Sequence, residues 1–310
     1  MKIQLRSTLG LSTLCATLLT GCFSGEAPVE RSTEGRVQVK ISPIDLDRLK
    51  EEPGQLARVL SMPFVELAER LPPFIFECEA EMTFTQGSKS FRQLDQHRYA
   101  EDESRNFHAT MRSAGTKEIN VWLKDGEILV RQGSGKIRRT PRRDIAIEKW
   151  GELALSPKRH SFELFYPYLS AEPKGDEEFQ GRTVRRYALG LRESPVALQQ
   201  SYKLPRAETR LAPVAGWREQ AKPIDVDGYI LVDTELKVVL QSSFRGRLKL
   251  NGATDGEAES ELTLRFESTI LDNTNPISTD DLHHIIDEVS RARPKKGNLG
   301  FYDPPSEPSE

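Results

Sequence analysis

Side chains capable of chemistry are scattered along this chain, and few stand at a spacing that chemistry needs. Gly133-Ser134-Gly135-Lys136 has the glycines and the lysine of a phosphate-cradling loop. It lacks the full spacing and a following Ser or Thr, and it falls between strand patterns instead of ahead of a helix. There is no Gly-x-Ser-x-Gly elbow for a hydrolase. His283 and His284 are adjacent on a helical pattern, so they diverge and cannot share one metal. His97, His108 and His160 have no ligand spacing to cysteines or carboxylates. Glu77, Glu79 and Glu81 form a row that would suit calcium, or simply the solvated face of a strand. No catalytic residue, metal site or cofactor is therefore expected, and the chain does not read as an enzyme. One thiol stands out by position instead. Cys22 closes an uncharged run, 7–20, that follows Lys2 and Arg6.

That run is too short to remain as a membrane-spanning helix and is followed by polar sequence, so 1–21 is expected to be a cleaved signal. Its end, Leu19-Thr20-Gly21-Cys22, resembles the lipobox of bacterial lipoproteins, with cleavage before Cys22. The alternative is an ordinary secretory signal with a chance cysteine. The resemblance implies lipidation of Cys22: a diacylglyceryl thioether, plus an acyl group on the new amino terminus. Several chains hold a protein on a membrane stably where one does so only marginally. Phe23 stands where an aspartate often retains such proteins in the inner membrane, so the implied address is the outer membrane, lipid-anchored and facing the periplasm.

Losing Lys2 and Arg6 with the signal leaves 42 of 44 basic residues against 47 acidic ones, a net charge of −5. An acidic balance repels phosphate, and no nucleic-acid partner is expected. Cys15 leaves with the signal and Cys22 is acylated, so Cys78 stands alone and no intrachain disulfide can form. Cys78 is expected to behave as a small buried hydrophobe. The oligomeric state has no signal in the sequence.

The elements that would position these residues follow from hydrophobic period. Residues 22–40 are small, polar and charged and read as a flexible tether. A helix is expected to start at Ser42, with Pro43 at its first position and Asp45 in its first turn. Leu56, Leu60, Phe64, Leu67 and Leu71 then share one helical face; Pro63 begins a fresh helix capped by Ser61. From Phe74 the period becomes two. Phe74, Phe76, Cys78, Ala80, Met82 and Phe84 form an apolar face opposite Glu77, Glu79 and Glu81. Strands are expected over 90–99, 106–112, 118–123, 127–132 and 136–140. Asp125-Gly126 and Gly133-Ser134-Gly135 supply turns tight enough to make an antiparallel meander. Ile145, Ile147, Trp150, Leu153 and Leu155 start a helical block, and 162–169 continue it. Further strands are expected over 183–191, 228–232, 237–250 and 259–270, with an insertion at about 193–226. A last helix carries Leu282, Ile285, Ile286 and Val289, and 293–310 read as a disordered tail.

These patterns make an α+β domain over 41–292: a curved antiparallel sheet, or half-open β-barrel, closed by short helices. The order of elements from Leu56 to Phe84, and the segment from Gly228-Tyr229-Ile230-Leu231-Val232-Asp233 through Leu240, Gly246 and Leu248, resemble the LolA and LolB lipoprotein-localisation proteins. Phe266-Glu267-Ser268 with Leu271-Asp272 is similar to the ending of the LppX and LprG lipid-binding lipoproteins. The resemblance implies an apolar cavity that holds acyl chains without reacting with them. It also implies a lipid or lipoprotein cargo, alongside the membrane contact through Cys22. Phe74, Phe76, Met82, Leu264 and Phe266 are the cavity candidates, or else ordinary core beneath the helices. Trp150, Phe162, Phe165 and Tyr166 form a lid over the opening, or the helices' buried faces. Lys136, Arg138, Arg139, Arg142 and Arg143 suit anionic headgroups or an acidic partner, or guard an exposed strand edge. The rival function is a scaffold with a solid core that docks onto an envelope complex.

Overall fold

In a computed structural model of the chain, residues 43–124, 126–141, 144–196, 221–250 and 260–277 are described. The expected signal, tether, Cys22, Ser42, Arg142, Arg143, His283, His284, last helix, tail and most of the insertion lie outside them.

Helices α1 (Pro53–Leu60) and α2 (Phe64–Arg70) lead into a meander of β1 (Phe74–Gln86), β2 (Lys89–Glu101), β3 (Phe107–Ser113), β4 (Ile119–Lys124), β5 (Glu127–Gln132) and β6 (Arg138–Pro141). Helix α3 (Asp144–Glu163) follows, and then β7 (Leu169–Phe179), β8 (Arg182–Leu191), β9 (Ala221–Asp233), β10 (Val239–Leu250) and β11 (Ser260–Asp272). They form one 11-stranded sheet in the order β6-β5-β4-β3-β2-β1-β11-β10-β9-β8-β7. Neighbours are antiparallel, and the sheet stays open with β6 and β7 at its edges. The two meanders join where β1 meets β11, from Phe74 opposite Asp272 to Gln86 opposite Ser260. This is the expected α+β half-barrel.

Alternation along the strands creates the core. Phe74, Phe76, Ala80, Leu262, Leu264 and Phe266 are buried on one face, and α3 packs over that face at β1, β2, β3 and β11. Two glycines make room for aromatic rings, one from the turn after α3 against the sheet and one between α2 and α3. A Cβ on Gly246 in β10 would lie 2.3 Å from the Phe165 ring, and one on Gly151 in α3 would lie 2.4 Å from the Phe64 ring.

Several local expectations change. Residues 46–51 form a turn instead of a helix, although Ile44, Leu46 and Leu49 are buried. Their carbonyls have distant partners: Arg58 donates to Pro43 at 3.1 Å, Tyr187 to Leu46 at 2.7 Å and Arg192 to Lys50 at 2.8 Å. Ser61 ends α1 instead of capping α2, its hydroxyl donating to the Ala57 carbonyl at 2.7 Å. The Phe64 amide at the start of α2 is instead capped by the Glu152 carboxylate of α3, at 2.6 Å.

The helical block is one helix through Glu163 that tolerates Pro157, whereas 164–168, expected to continue it, are a turn that leads into β7. Proline removes the bond to the carbonyl four residues back, and Ser156 donates its hydroxyl to that Leu153 carbonyl at 2.7 Å. Strand β7 was not expected. It carries Pro173, Gly175 and a register shift between them, which only an edge strand accommodates. Strand β9 begins at Ala221, so the expected insertion gives up its last residues to the sheet.

Candidate functional site

The five cavity candidates sit in one contiguous core with the expected lid. Phe74, Phe76, Leu264 and Phe266 are fully buried and Met82 nearly so. Phe162 of α3 stacks on Phe244 at 4.7 Å and meets Phe266 edge-on at 5.8 Å. Tyr99 packs between Phe64, Phe74 and Phe107 at 5.2–5.4 Å. Phe165 and Tyr166 are buried just beyond α3, while Trp150 is half-buried against the same core. The apolar face of the sheet is thus filled by side chains.

Space remains at a seam where the α1–α2 corner meets α3 and the start of β10. An enclosed cavity of about 10 Å³ lies there, lined by Val59, Leu60, Met62, Leu67, Leu155, Val238 and Val239, together with Lys158 and Arg159. Two cations in an aliphatic lining are the anomaly of this core. Lys158 is 5 % exposed, and burial pushes its ammonium down from 10.5 to about 8. Among the described residues no acceptor or carboxylate pairs with it; its recorded electrostatic neighbour is the Cys78 thiol. That thiol is itself buried and pushed up to about 12, chiefly by burial, so it is not a reactive nucleophile.

Arg159 is held by Glu152 and by the Met62 carbonyl at 2.8 Å, yet its Nε is buried with no partner. Burial lowers the guanidinium to about 10, and it stays charged at neutral pH. The Tyr166 hydroxyl is buried beside Ser61, Arg159 and Glu163. Burial raises the Tyr166 phenol and keeps it protonated.

The opposite face of the sheet is polar and carries a wider hollow of about 760 Å³. Glu77, Arg98, Arg112, Tyr229, Gln241 and Glu267 line it, drawn from six neighbouring strands. The Glu77, Glu79 and Glu81 carboxylates accept from Arg98 at 3.0 Å, Gln96 at 2.8 Å and Arg92 at 2.6 Å. They form a cross-strand ladder, and no group of three metal-ligating side chains occurs among the described residues. His97 is buried with Nδ1 at 3.0 Å from the Ala154 carbonyl, and burial lowers its pKa. His108 stacks on Trp122 at 4.8 Å.

The basic run divides. Lys136 and Arg138 are exposed beside and on edge strand β6, whereas Arg139 is half-buried, opposite Leu129 and 3.8 Å from Glu127. No described helix is long and apolar enough to cross a membrane.

Sequence reasoning did not find Lys158, Arg159 or the wider hollow. Lys158 follows Pro157 in a stretch with weak amphipathic character, and no pattern along the chain marks it as buried. The hollow draws one to three residues from each of six strands, so it has no linear motif.

No protein-family model matches the chain, and no curated protein does. Among solved structures it is similar to LprF from Mycobacterium bovis, at 8% identity over 73% of this chain and 94% of that one, with a TM-score of 0.28. It is similar to a LolA superfamily protein from Nitrosomonas europaea at 10% identity, covering 72% and 94% of the two chains, with a TM-score of 0.21. A putative outer membrane lipoprotein-sorting protein domain from Vibrio parahaemolyticus matches at 10% identity over 72% and 97%, with a TM-score of 0.22. With scores of this size, the half-barrel rests on the strand order and register given above.

Proposed function

We propose that this chain is a lipoprotein anchored through acylated Cys22 at the outer membrane, facing the periplasm. In this reading it binds a lipid or an acylated polypeptide between its sheet and its helical cover. The observation that carries the reading is the seam. Helices α1 and α2 have 8 and 7 residues, too few to be stable alone, and they close an otherwise apolar sheet face over a gap that already exists. Lifting that corner exposes aliphatic surface, and each acyl methylene taken from water there is worth about 0.8 kcal/mol. The core is filled at rest, so cargo enters by displacing the corner.

A second reading, a scaffold that docks a polar partner, is favoured by the wide hollow on the opposite face. The basic pair Lys136 and Arg138 on the β6 side, with Arg139 partly engaged by Glu127, is the proposed contact for headgroups or an acidic partner in either case.

Two measurements test these assignments. Radiolabelled palmitate should label the wild-type chain and leave Cys22→Ser unlabelled; an unlabelled wild type removes the anchor. Residues 22–310 carrying Cys22→Ser, exported by an ordinary signal, should release an acyl compound when denatured in native mass spectrometry. A clean protein that also fails to take up an environment-sensitive acyl probe would leave the scaffold reading in front.

A further inference from the structure

The polar face of the sheet carries an apolar row at one end. Cross-strand partners run in register from Leu271 on β11 through Ile75, Ala100, His108 and Trp122 to Leu129 on β5, and Arg139 on β6 follows. Elsewhere this face holds Glu77, Glu79, Arg98, Arg112 and Glu267. Trp122 and Leu129 are each 3 % exposed, yet they stand apart from the main core in a cluster of their own with Ile137. Among the described residues no helix lies over this face, because α1, α2 and α3 all pack into the core on the other. The neighbours given so far are lateral: the His108 ring at 4.8 Å and the Arg131 guanidinium at 5.5 Å. The Nε atoms of Arg131 and Arg139 are buried without a hydrogen-bond partner among the described residues. A row buried this deeply on an open sheet needs a cover, one with an apolar stripe and with acceptors beside it.

We propose that the cover is residues 278–292 of this same chain, which lie outside the described ones, docked as an amphipathic helix along the row. The course of the chain points there. Leaving β11, it crosses the strand ends: the Asn273 amide donates to the Pro73 carbonyl at 2.7 Å and its side chain to the Glu101 carbonyl at 2.7 Å. The Ile277 amide then donates to the Asp102 carboxylate at 3.3 Å, two residues along from Ala100 in the row. Ser278 and Asp281 open a helical pattern in which Leu282, Ile285, Ile286 and Val289 share one face, and Pro294 closes it. At 1.5 Å per residue, 279–292 reach about 21 Å; with strands about 4.8 Å apart, the row from Leu271 to Leu129 is about 24 Å long. Asp281 and Glu288, four before and three after Ile285, flank the stripe and supply acceptors for Arg131 and Arg139. Docked there, the helix also borders the wide hollow, whose Glu77 and Arg98 stand two residues along their strands from Ile75 and Ala100. The assignment is independent of what the core face binds.

The test is hydrogen exchange and hydroxyl-radical footprinting, both read by mass spectrometry, on residues 22–310 carrying Cys22→Ser. A helix of this length is marginal on its own, so amide protection over 282–289 reports docking. Trp122→Ser should lower that protection about ten-fold or more and leave the peptides of β1 and β11 protected. In the reverse direction, Ile286→Asp puts a charge into the stripe without touching the sheet. It should raise oxidation of the Trp122 ring about ten-fold, because an unpaired carboxylate is not buried there. His284→Asp, on the far side of the helical pattern, should change neither readout. Amides over 282–289 that exchange freely in the unaltered chain overturn the proposal. So does Trp122 oxidation that is indifferent to Ile286→Asp, which would mean that another segment covers the row. Protection that disappears on dilution would assign the cover to a second copy and overturn docking within one chain. Continued protection of β1 and β11 in each variant separates undocking from loss of the fold.

Discussion

Replacing Lys158 with methionine should stabilise the protein by about 3 kcal/mol at pH 7, an unusual direction for a substitution inside a packed core. Burial costs the ammonium its water, it has no partner among the described residues, and its pKa falls from 10.5 in the unfolded chain to about 8 in the fold. Below pH 8 both states carry the proton and the full penalty applies. Between 8 and 10.5 the unfolded chain binds more protons than the native one, so stability rises with pH; above 10.5 the penalty has gone. Cys78 works in the opposite sense above pH 9, because burial holds its thiol protonated up to about 12. Cys78 feels the Lys158 charge but titrates only above pH 9, so the difference between wild-type and Lys158→Met urea curves from pH 6 to 9 isolates the lysine. That difference should shrink steadily above pH 8. A constant difference, or a destabilised variant, would mean that the ammonium is solvated or paired in solution.

Phe266→Ala should cost about 3–5 kcal/mol, the usual range for deleting a ring from a close-packed core. Phe266 is fully buried at the join of the two meanders. Its ring lies 5.6 Å from Phe244 and 5.8 Å from Phe162, and its partner on β1 is the small Ala80. Removing it leaves β1, β11 and α3 facing a void that Ala80 cannot fill. Phe91, 53 % exposed on β2, is the matched control and should lose less than about 0.5 kcal/mol on the same change. Equilibrium unfolding in urea reads both. A loss below about 1.5 kcal/mol for Phe266→Ala would show that the ring borders open space, as an acyl-filled hollow would make it, instead of a packed core.

Where the sequence was legible, a single strong period lay behind it. Phe74 to Phe84 and Leu262 to Ile270 alternate without a break, and both strands form on those residues with the expected face buried. The same alternation placed Cys78 inside and Glu77, Glu79 and Glu81 outside. Where it failed, a partner far along the chain had overridden local preference. The turn at 46–51 forms because Tyr187 and Arg192, from β8 and just after it, take carbonyls that a helix would have used. Helix α2 begins at Phe64 because Glu152, eighty-eight positions away, caps it. Strand β7 has no apolar alternation beyond Ala171 because an edge strand with exposed faces needs none.

The sequence alone therefore determined which face of each strand is apolar, that the strands are antiparallel, that short helices must cover them, and that Cys22 closes a signal-like run. Those properties depend on neighbours within a few residues. Only the tertiary structure decided that the cover fills the sheet and leaves a small gap at one corner. It also decided that Lys158 and Arg159 line that corner. Burial of a charge is a property of everything packed around it. Here the surroundings come from α1, α2, α3 and β10, four segments whose meeting no local pattern records.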